Sequence, residues 1–308
     1  MTTTLPPAEA WQPLPATDWN ESAARHLLQR IGFSASPNEL ARVLTEGPVR
    51  SVERYFAHMP AFPKPRMIAK LEADGPELYR SAANGSAQEK RLAQQVARER
   101  SREALFDLTI KWLQFASRPE FSPAEKWLLF LSDVWVVGID KVRNAALIYQ
   151  HQDYIRKFAF GGAPNLAKLM SRSPAMIAYL DLQQNKPEAP NENFARELFE
   201  LFTLGEGNYT ENDIKQAARA FTGYRQRQGE FVFAQRQHDN GRKTVFGQSG
   251  NFTGDDVINL VFKQKAAGTF LPRQIVSFYL SDEPLPAEQI AALGAWWAGT
   301  GHDLRKLA

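Results

Sequence analysis

The clearest helical pattern in the chain runs from Glu192 to Leu204. At 100° per residue, its polar side chains fall within an arc of about 140°, and apolar side chains fill the remaining arc. These polar side chains, called the polar stripe below, are Glu192, Asn193, Arg196, Glu197 and Glu200. A helix that is apolar over more than half of its circumference is expected to have neighbours on several sides. The pattern therefore predicts a mostly buried helix with one narrow polar face.

Helix-end signals place a second helix directly after the first. Gly205 is typical of a helix C-terminus, where a left-handed residue is needed. Thr210 is a predicted N-cap, and Asp213 stands three residues later, as in a capping box. This helix is expected to run to about Thr222, so the two helices form a helical hairpin.

The polar stripe supports two interpretations. Arg196 is spaced four residues from both Glu192 and Glu200, so the stripe can be a solvated face of ion pairs. Such pairs contribute only about 0.3–0.5 kcal/mol each. In the other interpretation the stripe lines a cleft, where its carboxylates bind a metal or divide acid and base roles. The spacing alone does not decide, because Glu-rich helix faces are common.

A hairpin is predicted after the two helices. The apolar segments 231–233 and 244–246 flank Asn240-Gly241, the strongest hairpin-turn signal in the chain. His238 and Asp239, beside that turn, are the densest titratable pair outside the polar stripe. They could complete a site with the stripe. Alternatively, Asp239 shapes the turn and His238 is a surface residue.

The rest of the chain is predicted to be helical, apart from a proline-rich extended arm at 1–17. Residues 86–117 form one long helix, whereas only a short helix is expected near 66–73. The predicted fold is mainly α, a multi-helix orthogonal bundle with one small β-hairpin. We expect a single helical domain, whose parts are residues 18–60, 61–118 and 119–308. A new helix that starts at His302-Asp303 and stops at Ala308 suggests truncation at the C-terminus.

Composition excludes several kinds of site. The chain has 308 residues and no cysteine, so disulfides, thiol nucleophiles and thiolate metal sites are excluded. The 37 basic and 34 acidic residues are too evenly balanced for a nucleic-acid-binding protein. The N-terminus has no signal-peptide pattern, and no apolar run approaches the roughly 20 residues that span a bilayer. The sequence is therefore typical of a soluble protein.

Several blocks of sequence resemble one bacterial family. They are NENFARELFELFTLGEGNYTENDIKQAARAFTGY, HDNGRKTVFG, GNFTGDDVINLVF, RHLLQRIGF and YLDLQQNK. Together they resemble the domain of unknown function 1800 family, from about Ala23 to the C-terminus. The resemblance implies a periplasmic or secreted role and a protein partner from the domain of unknown function 1501 family. It implies no biochemical activity.

The chain departs from this family pattern in three ways. Many members have Trp-His-Asn-His-Phe where this chain has Leu131-Ser132-Asp133-Val134-Trp135, so a metal site built on those histidines is not expected here. Members usually carry an export signal, and they usually continue more than a hundred residues further.

Two functional hypotheses follow. The favoured one is a non-catalytic helical binding or assembly module, in which the polar stripe is a structural ion-pair network. The alternative is a metal-assisted hydrolase with unknown cofactor. In it Glu192, Glu197 and Glu200 supply carboxylates, and Arg196 orients them or binds an anion. His238 and Asp239 complete that site.

Overall fold

The computed structural model describes residues 5–308, except for the side chains of residue 8 and of residues 76–84. Residues 1–4 of the predicted arm lie outside that description. The α-helices are α1 Pro7–Ala10, α2 Glu21–Ile31, α3 Pro37–Glu46, α4 Pro48–Tyr55, α5 Arg66–Asn84, α6 Ala87–Ala116, α7 Ser122–Val134, α8 Ile139–Val142, α9 Ala145–Phe158, α10 Ala163–Ser171, α11 Pro174–Tyr179, α12 Asn193–Glu200, α13 Glu211–Ala220, α14 Gly254–Val261, α15 Lys265–Ile275, α16 Ala287–Gly299 and α17 Leu304–Leu307. Short 3₁₀ turns occur at Ala16–Asp18, Leu182–Gln184 and Gln235–Gln237, and a π-helical turn at Val276–Leu280 follows α15.

Two small antiparallel hairpins lie between α13 and α14. Strand β1, Tyr224–Arg227, pairs with β2, Glu230–Phe233. Strand β3, Lys243–Val245, pairs with β4, Gln248–Gly250. The fold is therefore mainly α with a small β component, which confirms the predicted fold class.

The predicted hairpin around Asn240-Gly241 is wrong in its pairing. The tight turns are at Gln228-Gly229 and Phe246-Gly247, where all four residues have positive φ, as two-residue hairpin turns of type I′ require. The Asn240-Gly241 loop is closed differently. The buried Lys243 ammonium donates to the Asp239 carbonyl at 2.5 Å and to the Gly241 carbonyl at 3.0 Å. Those two bonds fold the loop around a side chain, so it does not become a strand-joining turn.

The main core forms where α7, α10, α12, α13 and α14 meet. Its largest fully buried side chains include Trp127, Phe130, Phe194, Phe199 and Phe221. A second, smaller cluster joins α5, α6 and the start of α9, through Ile68, Ala104, Leu108 and Ala145. The division into parts at residues 60 and 118 stays a prediction.

The helical hairpin is present, but α12 ends at Glu200 rather than at Leu204. The backbone N–H groups of Leu204 and Gly205 both donate to the Phe199 carbonyl, and Gly205 has φ 81°. This termination satisfies a free carbonyl at the helix end, as expected for a glycine stop. Thr210 and Asp213 form the predicted capping box at the start of α13.

Asp213 also has a long-range role. One carboxylate oxygen accepts from the Thr210 N–H at 3.0 Å, and the other accepts from the Phe246 N–H at 2.7 Å. Phe246 is a non-glycine residue with φ 49°, in the turn between β3 and β4. A single carboxylate therefore joins the start of α13 to that turn.

Two terminal or linker segments are more ordered than the sequence suggested. Residues 7–10 of the predicted extended arm form α1, which packs on α16. The Trp11 indole N–H donates to the Gln289 carbonyl at 2.8 Å, and the Gln289 amide donates to the Leu5 carbonyl at 2.7 Å. Helix α5 continues to Asn84 instead of ending near Ala73, because it packs along α6 as an antiparallel partner. Within residues 5–308, no helix has both the length and the apolar character needed to cross a membrane.

One buried ion pair ties three helices together. Glu125 of α7 is fully buried, and both terminal guanidinium nitrogens of Arg156 on α9 donate to its carboxylate. The indole N–H of Trp112 on α6 donates to the same carboxylate at 2.8 Å. Arg156 also donates to the Pro60 carbonyl at 2.9 Å. A buried charge is tolerated only when it is paired and hydrogen-bonded, and this one is.

We expect Arg156→Met to destabilise the protein by about 3–5 kcal/mol, because it leaves the Glu125 charge buried without its counter-ion. Urea unfolding at neutral pH measures this. Lys157→Met is the matched control on the same helix, since Lys157 is 62% exposed and pairs with Asp153 at the surface. Its expected effect is below about 1 kcal/mol. Equal losses in the two variants would contradict the role given to the buried pair.

Candidate functional site

The polar stripe lies on one face of α12, opposite the buried side chains Phe194, Leu198 and Phe199. Glu192, Arg196, Glu197 and Glu200 are all half-buried. The helix therefore has the amphipathic form that its sequence predicted.

Arg196 is the centre of a small ion-pair network. It donates to Glu192 at 3.2 Å, and its two terminal nitrogens donate to the two carboxylate oxygens of Glu211 on α13 at 2.8 and 2.9 Å. The Glu211 hydrogen bonds raise the pKa of Arg196, and the same bonds lower the pKa of Glu211. The predicted pair between Arg196 and Glu200 is not formed, because the guanidinium is turned toward Glu211.

Glu200 has a different partner. The hydroxyl of Tyr209 donates to its carboxylate at 2.7 Å. Burial, with the hydrogen bond to Glu200, raises the pKa of Tyr209 to about 12. Burial and the nearby Glu200 charge raise the pKa of Glu197, and Arg196 offsets part of this. The fold thus disfavours ionisation of Glu197.

His238 and Asp239 form a second cluster. The Nδ1–H of His238 donates to the Thr222 carbonyl at 2.9 Å, and the ring is buried against Phe233. Asp239 accepts from the Arg219 guanidinium at 2.7 Å and from the Gly241 N–H at 2.7 Å. Those bonds, chiefly the one from Arg219, hold the pKa of Asp239 below its usual value. Asp239 shapes the loop as one alternative predicted, whereas His238 is buried and not a surface residue.

The two clusters lie at opposite ends of α13. Glu211, the partner of Arg196, is the first residue of that helix, and Arg219, the partner of Asp239, is next to its last. Eight residues of helix span about 12 Å. Among the described residues, no group of three His, Asp or Glu side chains is placed to hold a metal.

Residues 131–135, which stand where many family members have a histidine motif, pack into the core here. Leu131, Val134 and Trp135 are buried. The Trp135 carbonyl lies 2.7 Å from Nε2 of His151, whose Nδ1 lies 2.8 Å from the Ser173 hydroxyl. His151 is almost fully buried, and this burial lowers its pKa to about 4. The imidazole is therefore neutral and holds α7, α9 and α11 together.

Fold and site together define a mainly α-helical protein in which Arg196 and Glu200 of the polar stripe are hydrogen-bonded to neighbouring side chains. The family described as protein of unknown function (DUF1800) matches residues 26–308. The chain belongs to that family, as its sequence blocks predicted. No curated protein and no solved structure matches it.

An exposed apolar face on α6 was not predicted from the sequence. Phe106 is 71% exposed, Leu113 51% and Ile110 37%. The signal was available, because these residues are spaced four and three apart, on the helix face opposite Ser101, Ala104 and Leu108. We call Phe106, Ile110 and Leu113 the α6 seam.

We expect Glu197→Gln to stabilise the protein at pH 7 and to have no effect at pH 4. Because the pKa of Glu197 is raised on folding, the folded state keeps its proton to a higher pH than the unfolded state does. Stability is therefore lost as the pH rises from the ordinary glutamate pKa through the raised one. Glutamine removes that loss. Urea unfolding at the two pH values measures it.

Glu200→Gln is the matched control, since it removes the charged acceptor of the Tyr209 hydroxyl. It is expected to destabilise at pH 7. If Glu197→Gln destabilises the protein as much as Glu200→Gln does, Glu197 makes a favourable contact in its ionised form. The raised pKa assigned to Glu197 is then wrong.

Proposed function

We propose that this chain is a non-catalytic binding module that docks an amphipathic helix of a partner protein along α6. The observation that carries this proposal is the α6 seam, three large apolar side chains exposed together on one helix. Single exposed apolar residues are ordinary on protein surfaces, but a contiguous group is typical of an interaction site.

The geometry of the seam suits a helix. At 100° per residue, Phe106, Ile110 and Leu113 fall within an arc of about 60° and extend about 10 Å along the axis. Spacing of four and then three residues is the pattern with which one helix packs against another. The occupant is therefore expected to present two or three apolar side chains at the same spacing.

Charge next to the seam specifies the occupant further. Glu99 and Glu103 continue the same face toward the N-terminus of α6, and both are exposed. Basic residues one to two turns from the partner's apolar residues would complement them.

The state of the polar stripe supports a non-catalytic role. Its arginine is bonded to Glu192 and Glu211, and Glu200 is bonded to Tyr209. Neither of two cavities of about 630 Å³ in the described part of the chain is lined by a stripe residue. The stripe contributes to the packing of α12 on α13, and the free surface is elsewhere.

A protein of the domain of unknown function 1501 family is the first partner to test, because the family resemblance implies it. We expect the purified partner to bind the wild-type chain, and Ile110→Glu to weaken that binding at least tenfold. Burying an unpaired carboxylate in an apolar interface removes the contact and adds a desolvation cost. Glu103→Lys should weaken it less, and more at low than at high salt. Biolayer interferometry measures both.

Val49→Ser is the control, because Val49 is 56% exposed on α4 and lies outside the seam. Binding that is absent in the wild type, or unchanged in Ile110→Glu, would contradict the proposal. Self-association that Ile110→Glu abolishes would instead identify a second copy of the chain as the occupant, and binding to anionic vesicles that depends on the seam would identify a membrane. Either result replaces the proposed partner.

The second candidate is the metal-assisted hydrolase. The observation that favours it is the pair Glu197 and Glu200, two neighbouring carboxylates of which one has a raised pKa. Such a pair can divide acid and base roles. Glu192, Arg196, His238 and Asp239 would support it.

Plasma mass spectrometry of the purified protein separates the two candidates. Under the binding-module proposal we expect no stoichiometric metal in the wild type or in Glu200→Ala and His238→Ala. Stoichiometric metal that is lost in both variants would establish one shared site and favour the hydrolase.

A further inference from the structure

A second binding site lies beside the seam, in a cavity of about 630 Å³ between α6 and the α8–α9 junction. Its walls include Arg98 and Arg102 of α6 and Arg143 and Asn144 of the junction. Sites for small molecules commonly have volumes of about 300–1,000 Å³. We call this cavity the arginine trough.

Among the described residues, none of these three arginines has an acidic side chain as a partner. In the part of the chain that the structure describes, Arg98 and Arg102 form no hydrogen bond or ion pair, although Arg100 on the same helix pairs with Asp74 at 2.7 Å. Arg143 donates only from Nε, to the Asp140 carbonyl at 2.7 Å. Its two terminal nitrogens remain available.

The fold holds these cations close together. Arg98 and Arg102 are one helical turn apart, where like charges repel each other. Arg143 ends α8 in a left-handed conformation, φ 50°, and Asn144 then caps α9. The Ala145 N–H donates to the buried Ser101 hydroxyl of α6 at 2.7 Å, which fixes the junction against α6. A bound anion would relieve the repulsion among the three guanidinium groups.

The trough has an apolar side as well. Leu105, Ile139 and Ile148 line it, and Ile139 is 56% exposed. Asp140 is the one carboxylate among its walls, so three positive charges face one negative charge. Guanidinium groups bind phosphate or carboxylate with two parallel hydrogen bonds, and hydrocarbon would cover Ile139.

We propose that the arginine trough binds an anionic amphiphile, with a phosphate or carboxylate head on the arginines and a hydrocarbon chain against Leu105, Ile139 and Ile148. This site is separate from the helix-binding function proposed above and does not depend on it.

A neighbouring cavity indicates where the head group lies. It shares Ser101, Arg143 and Asn144 with the trough, but its other walls include Glu72 and Glu230. These carboxylates would repel an anion. The head is therefore placed on the Arg98–Arg102 side of Arg143.

The probe is n-octyl phosphate, titrated calorimetrically into the full chain, with inorganic phosphate as the head alone. We expect octyl phosphate to bind the wild type, and the double variant Arg102→Gln/Arg143→Gln to lose at least tenfold in affinity. Ile139→Ser should weaken octyl phosphate severalfold and leave inorganic phosphate unchanged. All these side chains are exposed, so folding should be preserved, and circular dichroism checks it.

Arg91→Gln is the matched control, an exposed arginine on α6 outside the trough. No binding of octyl phosphate to the wild type would overturn the proposal, as would equal losses in Arg91→Gln and the double variant. Equal affinities for octyl phosphate and inorganic phosphate would contradict the proposal that a hydrocarbon chain lies against the apolar side of the trough. Sedimentation with phosphatidylglycerol vesicles separates the sources. If the wild type sediments with the vesicles and the double variant does not, the ligand is a lipid head group. If the wild type does not sediment but still binds octyl phosphate, the ligand is a free anion.

Discussion

The buried carboxylate of Glu125 fixes how several helices are positioned relative to one another. It lies in the core, where an ionised group is stable only with its charge balanced and its oxygens bonded. Arg156 supplies the charge and Trp112 a further donor, and these residues come from α9 and α6. The three helices must therefore approach at one distance and one rotation. Arg156 also reaches the Pro60 carbonyl, so the linker before α5 is positioned by the same group.

The sequence predicted best where local signals decide the structure. Thr210 and Asp213 form the capping box that their spacing indicates, because a cap needs only residues within one turn. The polar stripe also lies on one face of α12, as helical periodicity requires.

The predictions from sequence failed where a side chain from another part of the chain determines the local structure. Asn240-Gly241 has the composition of a hairpin turn, but Lys243 fills that loop and the strands pair elsewhere. The spacing of Arg196 predicted an ion pair with Glu200, but Arg196 instead donates to both carboxylate oxygens of Glu211 on the next helix. The partners of the candidate site residues, Tyr209 and Arg219, could not be found from spacing alone, since they depend on how α13 packs. The division of the chain into parts and the roles of the site residues stay predictions.

The link made by Asp213 has a consequence for how the protein opens. Its two carboxylate oxygens bond the Thr210 N–H at the start of α13 and the Phe246 N–H in the β3–β4 turn. The helix cannot fray at its first turn without releasing a backbone group of the hairpin, and the hairpin cannot detach without freeing the cap. These two elements, separated by more than twenty residues of chain, should open as one cooperative unit and show matched amide hydrogen exchange. Local fluctuations there are set by the weaker of the two elements, which is the three-residue ladder of β3 and β4.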